Sequence, residues 1–139
     1  MRYFDTIIVH CTATPAGRDL HVNDIDLYHK TEGFREIGYH FLIALDGTIE
    51  HGRNIDIVGA HCAGHNKDSV GIAYVGGLDK KLRPADTRTK AQKESLRKLI
   101  AHLTYLALNN HFGMPRVVGH RDLNPCKVCP CFDAQQEYN

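Results

Sequence analysis

Two short stretches, far apart in the chain, carry side chains able to hold a metal: Ile7-Ile8-Val9-His10-Cys11, and Gly119-His120-Arg121-Asp122 followed by Lys127-Val128-Cys129-Pro130. Each histidine follows a run of β-branched residues, as if it hung off the end of a buried strand. His10, His120 and Cys129 would offer zinc two imidazoles and one thiolate, leaving the fourth tetrahedral position open. That open position separates a catalytic zinc from a structural one. The leading reading of these residues is a zinc hydrolase.

Taken singly, each residue has a plainer explanation. A strand-end histidine more often caps or packs, and it is the pair, with a cysteine nine residues after the second, that points to metal. Cys126-x-x-Cys129-x-Cys131 offers a competing site. Structural zinc commonly needs a second Cys pair, however, and Cys11 and Cys62 stand alone. A redox disulfide at Cys126 and Cys129 lacks a thioredoxin-like βαβ context. Tyr39 opens a strand, where tyrosines usually pack. Lys127 would bring an ammonium near any metal held by Cys129, although a lone loop lysine is normally a solvated charge. His61 and His65 sit among small residues in a loop that is either a ligand-accommodating wall or a polar surface turn. His21, His29, His51, His102 and His111 are read as helix-face or loop residues with no site.

The elements that must position these groups follow from patterning. Residues 3–10 read as a strand with a buried centre, and residues 12–20 as a polar loop. Asn23 or Asp24 is the expected cap of a short helix reaching Glu32, with Val22, Ile25, Tyr28 and His29 on its inner face and Gly33 as its stop. Residues 39–45 and 48–51 flank Asp46-Gly47, which predicts a hairpin with a type I′ turn. Residues 70–75 form another strand. Residues 80–89 are charged and apolar-poor, and predict a surface loop. Thr89-x-x-Gln92 is a capping box that opens the clearest helix, with Leu96, Leu99, Ile100, Leu103, Leu106 and Ala107 at helical spacing. Residues 116–120 make a last strand, followed by an irregular Cys- and Pro-rich segment and a short tail. Strands interleaved with helices predict an α/β class.

Bulk properties narrow the function. A length of 139 residues predicts one domain, residues 1–139. Lys and Arg number 17 against 16 Asp and Glu, so no net charge drives binding to nucleic acid or an acidic membrane. No stretch suits a signal peptide or a membrane span, which predicts a cytoplasmic protein without membrane insertion. Five cysteines are an odd number in such a chain, and argue for free thiols or metal ligation over a disulfide framework. Ten histidines raise the prior for metal.

The ordered set of motifs is specific where no single piece is. It comprises Ile8-Val9-His10-Cys11-Thr12-Ala13-Thr14, Ile37-Gly38-Tyr39-His40-Phe41, Asp46-Gly47-Thr48, Val58-Gly59-Ala60-His61, Ser69-Val70-Gly71-Ile72, Val75-Gly76-Gly77, Gly119-His120, and Lys127-Val128-Cys129-Pro130-x-Phe132-Asp133. Across nearly the whole chain it resembles the zinc-dependent N-acetylmuramoyl-L-alanine amidases, the family of phage lysozymes and animal peptidoglycan recognition proteins. The resemblance implies a single α/β domain with a mixed central sheet flanked by helices, and one Zn2+ in a surface cleft. It implies His10, His120 and Cys129 as metal ligands, Tyr39 and Lys127 as catalytic residues, and His61 as a wall of the substrate groove. All five metal and catalytic positions hold the expected type, which favours an enzyme over a binding-only receptor.

The implied substrate is bacterial peptidoglycan, cleaved by a monomeric phage or prophage endolysin that meets the wall only after release from the cytoplasm. Two alternatives on the same fold are a non-catalytic peptidoglycan receptor and a polymerase regulator. A phage member binds RNA polymerase partly through an N-terminal extension; here the first strand begins near Met1, which argues against that role. Cys126 and Cys131 depart from the family pattern and could compete for metal or oxidise.

Overall fold

A computed structural model describes residues 1–139. Its centre is β1 (Thr6–Cys11), buried at every position because parallel neighbours flank it on both sides. These are β5 (Ser69–Tyr74) and β7 (Arg116–Gly119). Beyond β5 lie β3 (Phe41–Ile43), parallel to it, and the antiparallel edge strand β4 (Ile49–His51). The five strands run in the order β4-β3-β5-β1-β7, the mixed sheet expected of this α/β chain. A second, two-stranded sheet pairs β2 (Thr14–Pro15) with β6 (Gly77–Leu78).

The period-2 alternation of strand side chains divides the sheet into two faces with different work. Ile7, Val9 and Cys11 of β1, Val70, Ile72 and Tyr74 of β5, and Val117 of β7 join one large apolar cluster. The helix α2 (Lys90–Asn109) closes that face with Leu96, Leu99, Ile100, Leu103 and Ala107. Each leucine or isoleucine among them contributes about 1.5–3 kcal/mol on full burial. The opposite face carries Ile8, His10, Gly71, Ala73 and Val118, where the apolar clusters are small. α1 (Val22–Thr31) packs there through Ile25. That second face holds the polar chemistry.

The capping box of α2 forms as its sequence predicts. Gln92 N donates to Thr89 Oγ1 at 3.0 Å, and Thr89 N donates to Gln92 Oε1 at 2.9 Å. Gln92 is also fully buried, and its amide donates to the carbonyls of Ile43 and Val75. It thereby fastens the helix start to two strand ends.

Four local expectations are corrected. α1 is capped at His21, not at Asn23 or Asp24: the Asp24 carboxylate accepts from His21 N, and Glu50 on β4 accepts from Val22 N. A residue from another element therefore satisfies one of the helix's free amides. Tyr28, expected on the inner face of α1, is 59% exposed. The β3–β4 turn is not type I′, because only Gly47 of the Asp46-Gly47 pair has positive φ. Ala44 N donates to Thr48 O and Gly47 N to Ala44 O, giving a three-residue loop with glycine in the left-handed position.

The fourth concerns residues 80–89. Arg88 in that segment is buried, stacks 3.3 Å from the centroid of Phe132 and pairs with Asp86 and Glu137. A buried guanidinium is tolerated only when its hydrogen bonds are satisfied, and two carboxylates do so here. The pairing ties α4 (Ala134–Tyr138), the expected tail, against the core.

Candidate active site

His10 projects from β1 onto the face opposite α2 and is 1% exposed. β7 delivers His120 beside it as the first residue of the short helix α3 (His120–Leu123), and the two imidazole centroids lie 4.7 Å apart. Cys129 arrives from the following loop, pinned by its surroundings. Cys11 N donates to Cys129 Sγ at 3.1 Å, Arg121 N donates to Cys129 O at 2.8 Å, and the Tyr74 hydroxyl donates to Pro130 O at 2.6 Å. The end of β7 comes very close to this loop: a Cβ on Gly119 would lie 2.6 Å from Pro130 Cδ. Glycine there is the reason the two ligand-bearing segments can meet.

The result is one group in which ligand atoms of His10, His120 and Cys129 lie within 4.8 Å of one another. It is the only convergence of three or more potential ligand side chains in the chain. Zinc bonds of about 2.0–2.3 Å require ligand separations of roughly 3.3–3.7 Å, so modest side-chain adjustment would close the site. The N–H of Cys11 directed at the Cys129 sulfur also suits a thiolate.

The competing late-cysteine site does not assemble. Cys126 is exposed, and Cys131 Sγ lies 3.9 Å from Cys11 Sγ and 3.4 Å from Gly77 O, so neither joins the converging group. Burial and Cys11 push the Cys131 thiol up to about 12, so it is protonated at neutral pH.

Tyr39 lies in the stretch leading into β3, its ring centroid 5.1 Å from that of His10. Burial, followed by the neighbouring Cys129 and Cys11, raises its pKa, so the phenol remains a neutral donor at neutral pH. The neighbouring segment is held by His29, whose Nδ1 accepts from Gly38 N at 2.9 Å. Nothing local in the sequence marked that contact. Lys127 is exposed at the rim, and lowers the pKa of His120 after burial has done so. His10, His120, Cys129, Tyr39, Lys127 and His61 all line one cleft of about 420 Å³, and the exposed Tyr28 stands at its edge. A larger groove of about 760 Å³ between α2 and β4 lies on the far side of the sheet and contains none of these groups.

His61 lines the innermost part of this cleft. It is 8% exposed at the back of the cleft, with Nδ1 2.9 Å from His10 Nε2 and Nε2 3.3 Å from Ser69 Oγ.

The buried imidazoles have a consequence for stability. Burial lowers His61 to about 3 and His40 to about 4, and holds His10 well below the usual 6.5. In the unfolded chain all three titrate near 6.5. Below that pH the unfolded state binds more protons than the folded one, so stability falls as pH drops from 6.5 toward 4. Each group contributes up to about 1.4 kcal/mol per pH unit across that window. Urea unfolding of metal-free protein should show a midpoint that declines from pH 7 to pH 5. A flat midpoint would mean that these rings are solvated.

Two imidazoles and a thiol converging in an accessible cleft, with a phenol and an ammonium beside them, equip a protein for metal-assisted hydrolysis. A family model described as N-acetylmuramoyl-L-alanine amidase matches residues 1–132, and the chain belongs to that family. It is 42% identical over 130 residues to the endolysin of Klebsiella phage KP32, covering 94% of this chain and 82% of that one. Identity to the endolysin of Escherichia phage T7 is 39% over 132 residues, with 95% and 83% covered. Among solved structures, the N-acetylmuramoyl-L-alanine amidase LysC from Clostridium intestinale superposes with a TM-score of 0.75 at 31% identity, covering 98% of this chain and 82% of that one. Drosophila PGRP-LB superposes at 0.77 and 25% identity, with 99% and 80% covered.

Proposed function

We propose that this chain hydrolyses the amide between the lactyl group of N-acetylmuramic acid and L-alanine in peptidoglycan, using one zinc ion held by His10, His120 and Cys129. The observation that carries the reading is the convergence of those three side chains within 4.8 Å in an accessible cleft. The amidase family and the endolysin relatives support peptidoglycan as the substrate.

The donor set fits zinc, a borderline-soft ion that takes imidazole and thiolate in tetrahedral sites. When bound, zinc supplies a Lewis acid and lowers the pKa of water from about 16 to about 7. The chain's own groups do the rest. His10 and His120 are both depressed in pKa by burial, so they are neutral and ready to ligate at neutral pH. Tyr39 offers a phenolic donor and Lys127 a cation where negative charge gathers on the former carbonyl oxygen. Such preorganised donors are each worth roughly 3–4 kcal/mol in the transition state.

On this reading residues 1–139 act as one monomeric amidase domain, as a phage or prophage endolysin that meets the wall after release from the cytoplasm. No helix is long and apolar enough to cross a membrane. Nucleic acid and RNA polymerase have no part in the reading.

Removing the metal separates a catalytic from a structural zinc. The apolar cluster beneath α2 is complete without the metal-ligand residues His10 and His120, so chelation should abolish amide cleavage while far-UV circular dichroism is unchanged. Re-addition of zinc should restore cleavage. A helical signal that collapses on chelation would make the zinc structural and overturn this reading.

A further inference from the structure

Behind His10 the cleft contains a buried polar chain whose further members, His61 and Ser69, the hydrolysis reading leaves unused. It runs from His10 Nε2 to His61 Nδ1 at 2.9 Å, and from His61 Nε2 to Ser69 Oγ at 3.3 Å. It ends where the Ser69 hydroxyl donates to Asn66 O at 3.4 Å. None of its three side chains is more than 8% exposed. The His61 ring occupies a slot prepared in the sheet. A Cβ on Gly71 of β5 would lie 2.6 Å from the ring's Cγ, and a Cβ on Gly59 would lie 2.6 Å from its Cδ2. The loop carrying the ring is anchored as well, because Asn66 Oδ1 accepts from both His61 N and Cys62 N.

Proton direction along this chain has two consistent solutions. In one, Ser69 donates to His61, and His61 Nδ1–H donates to His10 Nε2. His10 then carries its proton on Nδ1 and has no lone pair left for a metal. In the other, His10 Nε2–H donates to His61 Nδ1, His61 Nε2–H donates to Ser69, and Ser69 donates to Asn66 O. The second leaves the Nδ1 lone pair of His10 free, and it satisfies every polar hydrogen on the way. The Asn66 carbonyl can only accept, which favours that direction at its far end.

We infer that His61 is a positioning residue. Its Nδ1 accepts the Nε2 proton of His10, fixing the tautomer and orientation in which His10 can ligate zinc, with Ser69 fixing His61 in turn. Outer partners of metal-bound histidines act in this way, usually through carboxylates or carbonyls. Here a second imidazole fills that place, and Gly71 leaves room for it. The inference rests on the His10, His120 and Cys129 metal site proposed above.

The test needs two readouts, zinc affinity by competition with a chromophoric chelator and the histidine tautomers of metal-free protein by two-bond 1H–15N correlation. Wild-type metal-free protein should show His10 protonated on Nε2 and His61 also on Nε2. His61→Leu, which removes the acceptor, should weaken zinc binding about 10–100-fold. His61→Asn sets an amide oxygen near the place of Nδ1 and should recover most of that loss, which a purely space-filling role would not allow. Gly71→Ala should also weaken zinc by displacing the ring, and Ser69→Ala should cost several-fold with little change to the core. Wild-type protein that binds no zinc would overturn the metal site itself. Zinc held equally by wild type and folded His61→Leu, or His10 found protonated on Nδ1, would overturn the role given to His61 alone.

Discussion

Replacing Lys127 by Ala, or Tyr39 by Phe, should lower kcat by about a hundredfold or more while zinc content stays at the wild-type level. Neither side chain belongs to the converging ligand group. Tyr39 stands beside His10 as a neutral phenol, and Lys127 is free at the rim of the same cleft. On the proposed reading, both act on charge that develops on the carbonyl oxygen only as the transition state forms. Loss of such a donor falls on kcat, with a smaller effect on KM. Lys127→Arg should recover only part of the rate, because a planar guanidinium sets its charge differently from a compact ammonium. Steady-state turnover of a soluble muropeptide, with metal analysis of each variant, is the measurement. Wild-type rates in both variants would remove them from the chemistry. Tight muropeptide binding by a wild-type protein that never cleaves would instead make the chain a receptor.

A second large effect is expected at His120. His120→Ala should lose both zinc and activity, whereas Cys126→Ala should keep both. One of only three converging ligands disappears in the first variant. In the second, an exposed thiol outside the group is removed. His120 is half-exposed at the start of α3, so its truncation should leave the core beneath α2 intact. Metal analysis after gel filtration, with thermal unfolding as a control for folding, reads the contrast. Zinc retained by His120→Ala but lost from Cys126→Ala would move the metal to the late cysteines.

Much of this architecture was legible because it is local. The run Ile7-Ile8-Val9 marks a strand buried on both faces, and β1 is that strand. Thr89-x-x-Gln92 marks a helix start, and both reciprocal bonds are present. The convergence of His10 and His120 was legible through their position after strands together with the ordered family motifs. The parts that escaped depend on partners distant in sequence. His61 meets His10 across 51 residues, and Arg88 meets Glu137 across 49. A loop histidine and a loop arginine look solvated until the chain folds them against those partners. The α1 cap escaped for the same reason, since Glu50 reaches it from β4. In the sequence Gly71 is only one residue of a motif; the space it leaves for the His61 ring appears only in three dimensions.

The central claim is a zinc-dependent cut at one particular amide, and the new chain ends report it most directly. Purified sacculi treated with zinc-loaded protein should gain free L-alanine amino termini, detected by dinitrophenylation, with no increase in reducing sugar ends. The same protein should carry one equivalent of zinc, and its metal-free form should release neither kind of end. New reducing ends without new L-alanine amino termini would mean a glycosidic cut and would contradict the account.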